Sequence, residues 1–460
     1  MRVLQNFIEE LKIMTSDYNV TFTAKTSRNM SKISKDLLDN LTPKKRFLAK
    51  VIDMKEGDSG LSHSRFAQAT ATNWLPKAVF ARSFADLAEI SFLEIFESAL
   101  FFYLPSIMGE YLSRRKIFSK FLPENLRKDV SKPVSELVNT PAAKKLLPVK
   151  AGIVMSCAAI PAAEYGLSFA KNLFTQKLFH KADFSNVVNL DKEKKEDPKV
   201  HERVEKSAIS HLKKAGLFSA AAFGASLVLA GAGQKSSAIR KACEIFLNPG
   251  AKIYQGLEKA GVKSKGLKNF LDTYINLDFA RKSDGSLALG NGQLAVTVLS
   301  GVAGYFDAAK DRGKLEVQEV ATRVPVIALY TIFGSTLFDA GFKKLLHNKG
   351  KYPEILSADL KTASLNDIPK IAKQLACDDK NLYRQKIGEL FKGKAVIAMV
   401  PFLFSLLVVG GLLALISRIW TQYRYNHGVG NPHFNTQTQN AGFNTLKPSK
   451  DSPFTSFIKQ

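Results

Sequence analysis

The chain has 460 residues, and its 66 lysines and arginines against 41 aspartates and glutamates give a net charge of +25. Its three cysteines are far apart in sequence, which excludes a disulfide framework and a cysteine metal site. Basic loops bind either anionic lipid headgroups or nucleic acid phosphates. In this chain the charge is spread over every loop without a nucleic-acid motif, so we expect anionic membrane lipid, and not nucleic acid, as the partner.

Apolar residues are concentrated in six segments that contain no lysine or arginine. These segments are 87–108, 151–170, 215–233, 293–306, 324–341 and 395–417. A bilayer would select against basic residues there, since one Lys or Arg at the centre of a spanning helix costs about 2.5–3.5 kcal/mol. The pattern therefore predicts an all-α, membrane-embedded protein with basic helical loops.

Residues 1–82 are predicted to be a basic, water-facing region. The first 14 residues have apolar side chains at helical spacing and lack the apolar core of a cleavable signal peptide. An extended linker is expected around residues 18–26. Thr42 and Pro43 then have the pattern of a helix start, and this helix is expected to end near Gly57.

The first membrane-associated region, 83–235, begins with an acidic helix face formed by Asp86, Glu89, Glu94 and Glu97. Three carboxylates at about 2.5 kcal/mol each exceed the insertion energy of the apolar side chains in segment 87–108. We therefore expect this face at the membrane interface or in water. An internal ion-paired face and an acidic pathway through the protein are the alternatives.

The other two segments of this region differ in how well they suit a bilayer. Segment 151–170 contains Glu164, whose charge cancels the modest insertion energy of its apolar side chains, so we expect Glu164 to be shielded from lipid. Segment 215–233 is uncharged. Gly216, Ala220 and Gly224 recur there every four residues, a spacing that predicts close packing of a second helix.

Residues 236–292 form a basic, glycine-containing connection, and 293–341 form a second apolar helical region. Segment 293–306 is too short to cross a bilayer alone, because a span needs about 20 residues. Segment 324–341 begins with Val324 and Pro325, contains Asp339 and is a candidate span; a basic helical region, 342–394, follows it. No pair of interrupted helices of the kind found in transporters is evident.

The strongest membrane signal is segment 395–417, which has 23 residues without a charge. We predict that this segment is a transmembrane helix, followed by a disordered polar tail over 418–460. Basic residues are more frequent before this span than after it, so the positive-inside rule places 342–394 in the cytoplasm and the tail across the membrane. The weaker segments are then expected to be re-entrant, interfacial or hairpin-like.

The sequence contains only weak matches to catalytic or ligand-binding motifs. The letters from Gly388 to Lys394 match a phosphate-binding loop, but Ala395 stands where Ser or Thr must follow. Gly290 to Gly292 is better explained by a tight turn with positive φ than by a dinucleotide site. The seven histidines include no pair at metal-binding helical spacing. No cofactor, metal or catalytic residue is predicted, and the sequence favours a non-enzymatic protein without deciding the question.

Two functions fit an integral membrane protein of this kind; if its source is a prokaryote, the expected location is the cytoplasmic membrane. The favoured hypothesis is a structural or assembly protein that organises anionic lipid, helix partners or a second copy through its basic loops. The alternative is a polytopic transporter or channel with intramembrane carboxylates along a polar path. The candidate pathway residues are Glu89, Glu94, Glu97, Glu164 and Asp339. Convergence of these acids on one cavity would favour transport, and scattered or interfacial acids would favour the structural function.

Overall fold

A computed structural model describes residues 33–56, 73–105, 118, 120–190, 195–281, 287–377 and 379–429. These residues are mainly helical, which confirms the all-α class. Their β-structure consists of the antiparallel pair β1 (Ala280–Arg281) and β2 (Leu287–Ala288) and one isolated bridge. The predicted N-terminal helix, the linker at 18–26 and residues 430–460 of the predicted disordered tail lie outside the described residues.

The helices of the described residues are numbered in chain order. They are α1 (Lys35–Asp39), α2 (Pro43–Glu56), α3 (73–79), α4 (Phe84–Phe102), a 3₁₀ helix (Glu124–Ser131), α5 (Val134–Leu137), α6 (Ala143–Ser156), α7 (Ala159–Phe179), α8 (Phe184–Val187), α9 (Pro198–Lys235), α10 (Ser237–Leu247), α11 (Pro249–Lys259), α12 (Lys265–Tyr274), α13 (Asn291–Arg312), α14 (Lys314–Leu329), a π-helix (Tyr330–Gly334), α15 (Ser335–Asn348), α16 (Ile368–Ala376), α17 (Lys380–Phe404), a second π-helix (Ser405–Leu412) and α18 (Leu413–Asn426).

The chain divides into two compact units. Unit 1 comprises 1–68, 282–286 and 336–402, and unit 2 comprises 69–281, 287–335 and 403–460. The core of unit 1 includes Ile52 of α2, Ile368 of α16 and Phe391 of α17. Helix α2 begins at Pro43 and ends at Glu56, as the sequence predicts. Gly393 lets α17 approach the ring of Tyr352, because an added Cβ would overlap that ring.

Helix α7 is central in unit 2, and helix α4 packs antiparallel to it. The ring of Phe84 contacts that of Phe179 at a centroid distance of 5.7 Å, and Phe92 stacks on Phe174 at 4.9 Å. The start of α4 therefore lies beside the end of α7. Ser83 starts α4, since its hydroxyl accepts a hydrogen bond from the backbone N–H of Asp86.

Helix α13 packs parallel to α7 at very close range. Gly301 lies against the carboxyl group of Glu164, where an added Cβ would be 2.8 Å from Oε1. At Gly304 an added Cβ would overlap the carbonyl oxygen of Tyr165. Further along both helices, Asn172 donates a hydrogen bond to the carbonyl of residue 308 at 3.0 Å. Two glycines thus set the helix spacing at the middle of unit 2.

Helix α9 is antiparallel to α7, since Gln176 bonds to the carbonyl oxygen of His201 at 2.9 Å while Tyr165 meets His211 at 2.8 Å. Asp197 caps the start of α9 by accepting the N–H of residue 199 at 2.9 Å. The starts of α4 and α9 and the ends of α7 and α13 consequently lie together.

Helices α14 and α18 are antiparallel to each other and complete this end. Tyr330 contacts Phe404 at a centroid distance of 6.3 Å, and Thr421 donates a hydrogen bond to Glu319 at 2.9 Å. Gly313, with φ of 118°, makes the sharp turn from α13 into α14. We call the region where α4, α9 and α14 begin, and α7, α13 and α18 end, the charged end of unit 2.

Four stretches of continuous helix are long and apolar enough to cross a membrane. They are Ala143–Phe179, Pro198–Lys235, Lys314–Asn348 and Lys380–Asn426. They contain the predicted segments 151–170, 215–233, 324–341 and 395–417. Segments 87–108 and 293–306 overlap the shorter or more charged helices α4 and α13, which pack among these stretches in unit 2.

The predicted packing stripe on α9 needs correction. Gly216, Ala220 and Gly224 face outward, and no atom of the described residues lies within 4 Å of an added Cβ at either glycine. The opposite face packs instead, where Gly152 of α6 meets the backbone of Ser226. Both faces of α9 carry small side chains, and the face that packs is the one on the side where α6 lies.

Residues 388–394 belong to helix α17, in agreement with the rejection of a phosphate-binding loop there. Two local predictions fail. Gly290 has φ of −67° and precedes α13, which begins at Asn291; the expected turn with positive φ is absent from this described stretch. Residues 418–426 continue helix α18 and are not part of a disordered tail.

Candidate functional site

Eight ionisable side chains meet inside unit 2 near the charged end. They are Arg82, Asp86, Glu89, Lys171, Arg312, Glu316, Glu319 and Arg418. We call them the ion-pair network. All except Arg82 belong to residues that are less than a tenth exposed. Ions buried to this degree are rare in proteins unless each is paired.

Arg312, at the end of α13, is the centre of one half of the network. Its Nη1 lies 2.9 Å from Oε1 of Glu89 and donates hydrogen bonds to Asn172 at 3.0 Å and to Glu316 at 3.4 Å. Lys171 closes the ring, 2.9 Å from Glu316 and 3.6 Å from Glu89. Although burial disfavours the charged guanidinium, the Glu316 and Glu89 carboxylates raise the pKa of Arg312. Arg312 therefore stays a cation.

Arg418 of α18 organises the other half. Its guanidinium approaches Asp86 at 2.8 Å and Glu319 at 3.9 Å. Glu319 also receives Arg82 at 3.0 Å and the hydroxyl of Thr421 at 2.9 Å. Burial lowers the pKa of Arg82, while the Glu319 carboxylate opposes that change. Helices α4, α14 and α18 are thus held together by charge at this end.

A small cavity of about 40 Å³ lies within the network. Its walls include carboxylates and cations, among them Glu89 and Arg418, and apolar side chains such as Leu93 and Val320. The Oε2 atom of Glu316, which lines the cavity, has no hydrogen-bond partner among the described residues. The volume has room for roughly three water molecules or one small ion.

Three further carboxylates, Glu94, Glu97 and Glu164, lie deeper in unit 2. We call them the carboxylate cluster. Glu94 is 2% exposed and forms an ion pair with Lys77 of α3. Burial, followed by the nearby Glu94 carboxylate, raises the pKa of Glu97 to about 7, against the opposing effect of Lys77. Glu164 is buried, and its Oε2 has no hydrogen-bond partner in the described part of the chain.

The structure brings four of the five predicted pathway residues into unit 2. Glu89 joins the ion-pair network, and Glu94, Glu97 and Glu164 form the carboxylate cluster. Asp339 belongs to unit 1, where it pairs with Lys343 at 2.6 Å on the same helix. The acidic face of α4 points inward, so the expectation of an interfacial or solvated face is corrected in favour of the ion-paired alternative. Cations pair with most of the acids on this face, and this pairing offsets the cost of burying the acids among apolar side chains.

Sequence reasoning missed the cations of the site. Arg312 and Arg418 stand at the edges of segments 293–306 and 395–417, where the charge pattern indicates basic loops. Lys171 directly follows segment 151–170 in the same way. A signal was nevertheless present, because a basic residue at the end of an apolar helix is a ready partner for an acidic face of a neighbouring helix.

Two apolar helices of the described residues contain π-helical turns. The pattern Val-Pro, eight residues, then Gly occurs at Val324–Gly334 and again at Val400–Gly410. In each case the π-helix follows within five residues of the proline, Pro325 or Pro401. Each π-turn lies after its proline, whereas a proline disturbs the bonding of the turn before it, and π-turns are frequent at functional sites. Both stretches continue as helix through the π-turns, so they are not the broken helices of transporters.

The chemistry available in unit 2 is the binding and exchange of protons, water or small ions. Among the described residues no group of three His, Cys, Asp or Glu side chains is placed to hold a metal ion. No family model, no curated protein and no solved structure matches this chain. The site defines a helical bundle with an ion-paired interior.

Proposed function

We propose that this chain is an integral membrane protein that moves a small ion through the interior of unit 2. One observation carries the proposal: buried carboxylates and cations converge on a cavity inside a bundle whose outer helix faces are apolar. Of the five predicted pathway acids only Glu89 lines this cavity, so the support for transport comes from the other charged groups that line it, among them Glu316, Glu319 and Arg418.

The outer surface of unit 2 supports membrane embedding. Leu217, Val228, Leu329 and Leu407 are between 61% and 73% exposed, and all four lie on the candidate spanning helices. Soluble proteins seldom leave large apolar side chains exposed along several neighbouring helices, because each would remain in contact with water. Lipid acyl chains would cover these faces.

The interior supports transport. Burying an ion costs several kcal/mol, and well-packed apolar residues often replace a buried ion pair without loss of stability. Six groups of the network line one cavity, which is more than packing requires; they are Asp86, Glu89, Lys171, Glu316, Glu319 and Arg418. Ionisable residues within membrane segments commonly mark ion or proton pathways. The cavity of about 40 Å³ limits the solute to a small ion or proton in this conformation.

The two π-turns add support from the backbone. π-Turns inside α-helices are frequent at functional sites, and here the helices remain continuous through them. In this chain the two π-helices, Tyr330–Gly334 and Ser405–Leu412, have the same Val-Pro and Gly spacing in sequence. A change in the hydrogen bonding of these π-turns would alter the access of ions to the interior of unit 2.

Flux through reconstituted vesicles tests this function. We would purify the full chain, place it in phosphatidylcholine and phosphatidylglycerol vesicles, and follow Na⁺, K⁺, Cl⁻ and H⁺ with trapped indicators. Leu93→Phe, which adds bulk at the cavity wall, should slow the flux of the transported ion at least severalfold. Leu217→Phe makes the same change on the outer face, where Leu217 is 73% exposed, and should leave flux unchanged.

Either of two results would contradict the transport proposal. One is a rate no higher than that of protein-free vesicles for all four ions. The other is an equal flux in both phenylalanine variants, provided that gel filtration and thermal unfolding show them to be folded.

The second candidate is a protein that organises anionic lipid, which the net charge of +25 favours. This function predicts that anionic lipids copurify with the full chain in excess over their share of the source membrane, and that salt removes them. Lipid analysis by mass spectrometry before and after a salt wash measures this. Copurified lipid with the composition of the bulk membrane would exclude it.

A further inference from the structure

We infer that Glu164 is a buried proton-binding site and that Glu97 exchanges protons between it and the outside. This inference rests on the proposed transport function, since it names the proton as the ion that moves or that drives movement. The observation behind it is the juxtaposition of a buried carboxyl group, whose Oε2 has no hydrogen-bond partner among the described residues, with two other carboxylates inside unit 2.

Glu164 lies where an ionised carboxylate is least stable. The residue is 4% exposed, and its Oε2 has no hydrogen-bond partner among the described residues. Its carboxyl group fits against Gly301 of α13, where any larger residue would displace it. A buried carboxylate without a cation is destabilised by desolvation, and one bound proton removes its charge.

Among the described residues, the groups around Glu164 supply no counter-charge of its own. From α4 it faces Glu94 and Glu97, both carboxylates, and from α13 it faces the phenol of Tyr305. The nearest cations already have acids to pair with: Lys77 forms an ion pair with Glu94, and Arg323 of α14 lies 3.9 Å from Glu319.

On the α9 side the titratable group is His211. It stacks on Phe169 at a centroid distance of 4.2 Å and contacts the hydroxyl of Tyr165. That hydroxyl donates a hydrogen bond to Asp307 at 3.1 Å. These groups contact Tyr165, the residue after Glu164, and form a separate hydrogen-bonded set. A proton on Glu164 is therefore the means of neutralising it.

Glu97 is suited to pass protons to Glu164. Glu97 is the least buried of the three carboxylates, since Glu94 and Glu164 are 2% and 4% exposed. A proton from water would bind to a carboxylate oxygen of Glu97, and its transfer to Glu164 would leave Glu97 ionised and Glu164 neutral. No other bond is made or broken in this exchange, and no redox change occurs. The pKa of Glu97 near 7 fits a group that gains and loses protons around neutral pH.

Infrared spectroscopy tests the proton site directly in the purified full chain. At pH 7 we expect the C=O stretching band of a protonated, buried carboxyl group, and Glu164→Gln should remove most of it. The control is Glu205→Gln on α9, whose carboxylate pairs with Lys177 on the surface and whose removal should leave the band unchanged. A wild-type spectrum without the band, or a band that survives in folded E164Q, would overturn the inference.

A second variant covers the case in which E164Q does not fold. Glu97→Gln removes a neighbouring negative charge, so the carboxyl band that remains should lose its proton at a lower pH than in the wild type. An unchanged titration would refute the coupling between Glu97 and Glu164.

Vesicle flux separates this inference from the proposed function. Proton movement that E164Q abolishes and E205Q retains supports both. Flux of Na⁺, K⁺ or Cl⁻ that neither moves protons nor depends on a pH gradient would overturn the proton site while leaving transport intact. A carboxyl band that E164Q removes, without flux of any ion, would support the proton site and contradict transport.

Discussion

Replacing Arg312 with methionine should destabilise unit 2 strongly. Arg312 is 2% exposed, and its Nη1 lies 2.9 Å from Glu89 and bonds to Glu316, while its Nε donates a hydrogen bond to the carbonyl of Ala182 at 2.9 Å. Without the guanidinium, Lys171 alone would balance two buried carboxylates. Breaking a buried pair by removing one partner costs about 3–5 kcal/mol, and we expect a loss of that size.

The matched control is Lys310→Met, two residues earlier on the same helix. Lys310 pairs with Asp307 at 2.8 Å, but its side chain is 66% exposed, so its removal should cost about 0–1 kcal/mol. Unfolding of both variants in mild detergent, followed by circular dichroism against a denaturant, measures the difference. Equal stability of the two variants would refute the conclusion that the ion-pair network holds unit 2 together.

Two further predictions concern helix packing and pH. Gly304→Ala should destabilise the protein by about 1–3 kcal/mol, because the methyl group would overlap the backbone of Tyr165. Gly224→Ala meets open space and should be neutral or slightly stabilising. Thermal unfolding of the two variants measures the difference, and an equal change in both would contradict the prediction. The raised pKa of Glu97 means that the folded protein holds this proton more tightly than the unfolded chain, so stability should fall as pH rises from about 4.5 to about 7. In Glu97→Gln that fall should be smaller, and an identical pH profile in denaturant unfolding would show that Glu97 titrates normally.

Much of the fold follows from hydrophobic patterning. Segments 151–170, 215–233, 324–341 and 395–417 all lie in helices long and apolar enough to span a bilayer. Length and composition suffice for this, because every backbone polar group in such a helix is bonded within it. The helices are longer than the predicted apolar segments, since polar and charged residues continue each helix beyond its apolar part.

The interior was predictable only in part. The four acids of α4 fall on one face by helix geometry, but periodicity does not say whether that face meets water or other helices. The answer depends on Arg312 and Arg418, which are more than 200 residues away in sequence. Pairing over such distances is set by tertiary packing and leaves no periodic signal in one sequence.

Close packing between helices was predicted at the wrong glycines. Gly216 and Gly224 have the familiar spacing of small residues, yet they face outward, while Gly301 and Gly304 pack against α7. Small residues permit a close approach on either face of a helix. The face that is used depends on where the partner helices lie, which single-sequence spacing does not encode.

The accessibility of engineered cysteines tests the central claim most directly. In a Cys377→Ser background, Leu217→Cys and Leu93→Cys in vesicles would be treated with Ag⁺, a thiol-reactive ion small enough for the cavity of about 40 Å³. Burial within the protein alone favours reaction at Leu217, which is 73% exposed, over Leu93, which is 8% exposed. A membrane-embedded bundle with a hydrated ionic core predicts the reverse order, with Leu217→Cys protected by lipid and Leu93→Cys labelled through the cavity. Rapid labelling of Leu217→Cys together with no labelling of Leu93→Cys would contradict both the membrane embedding and the polar path.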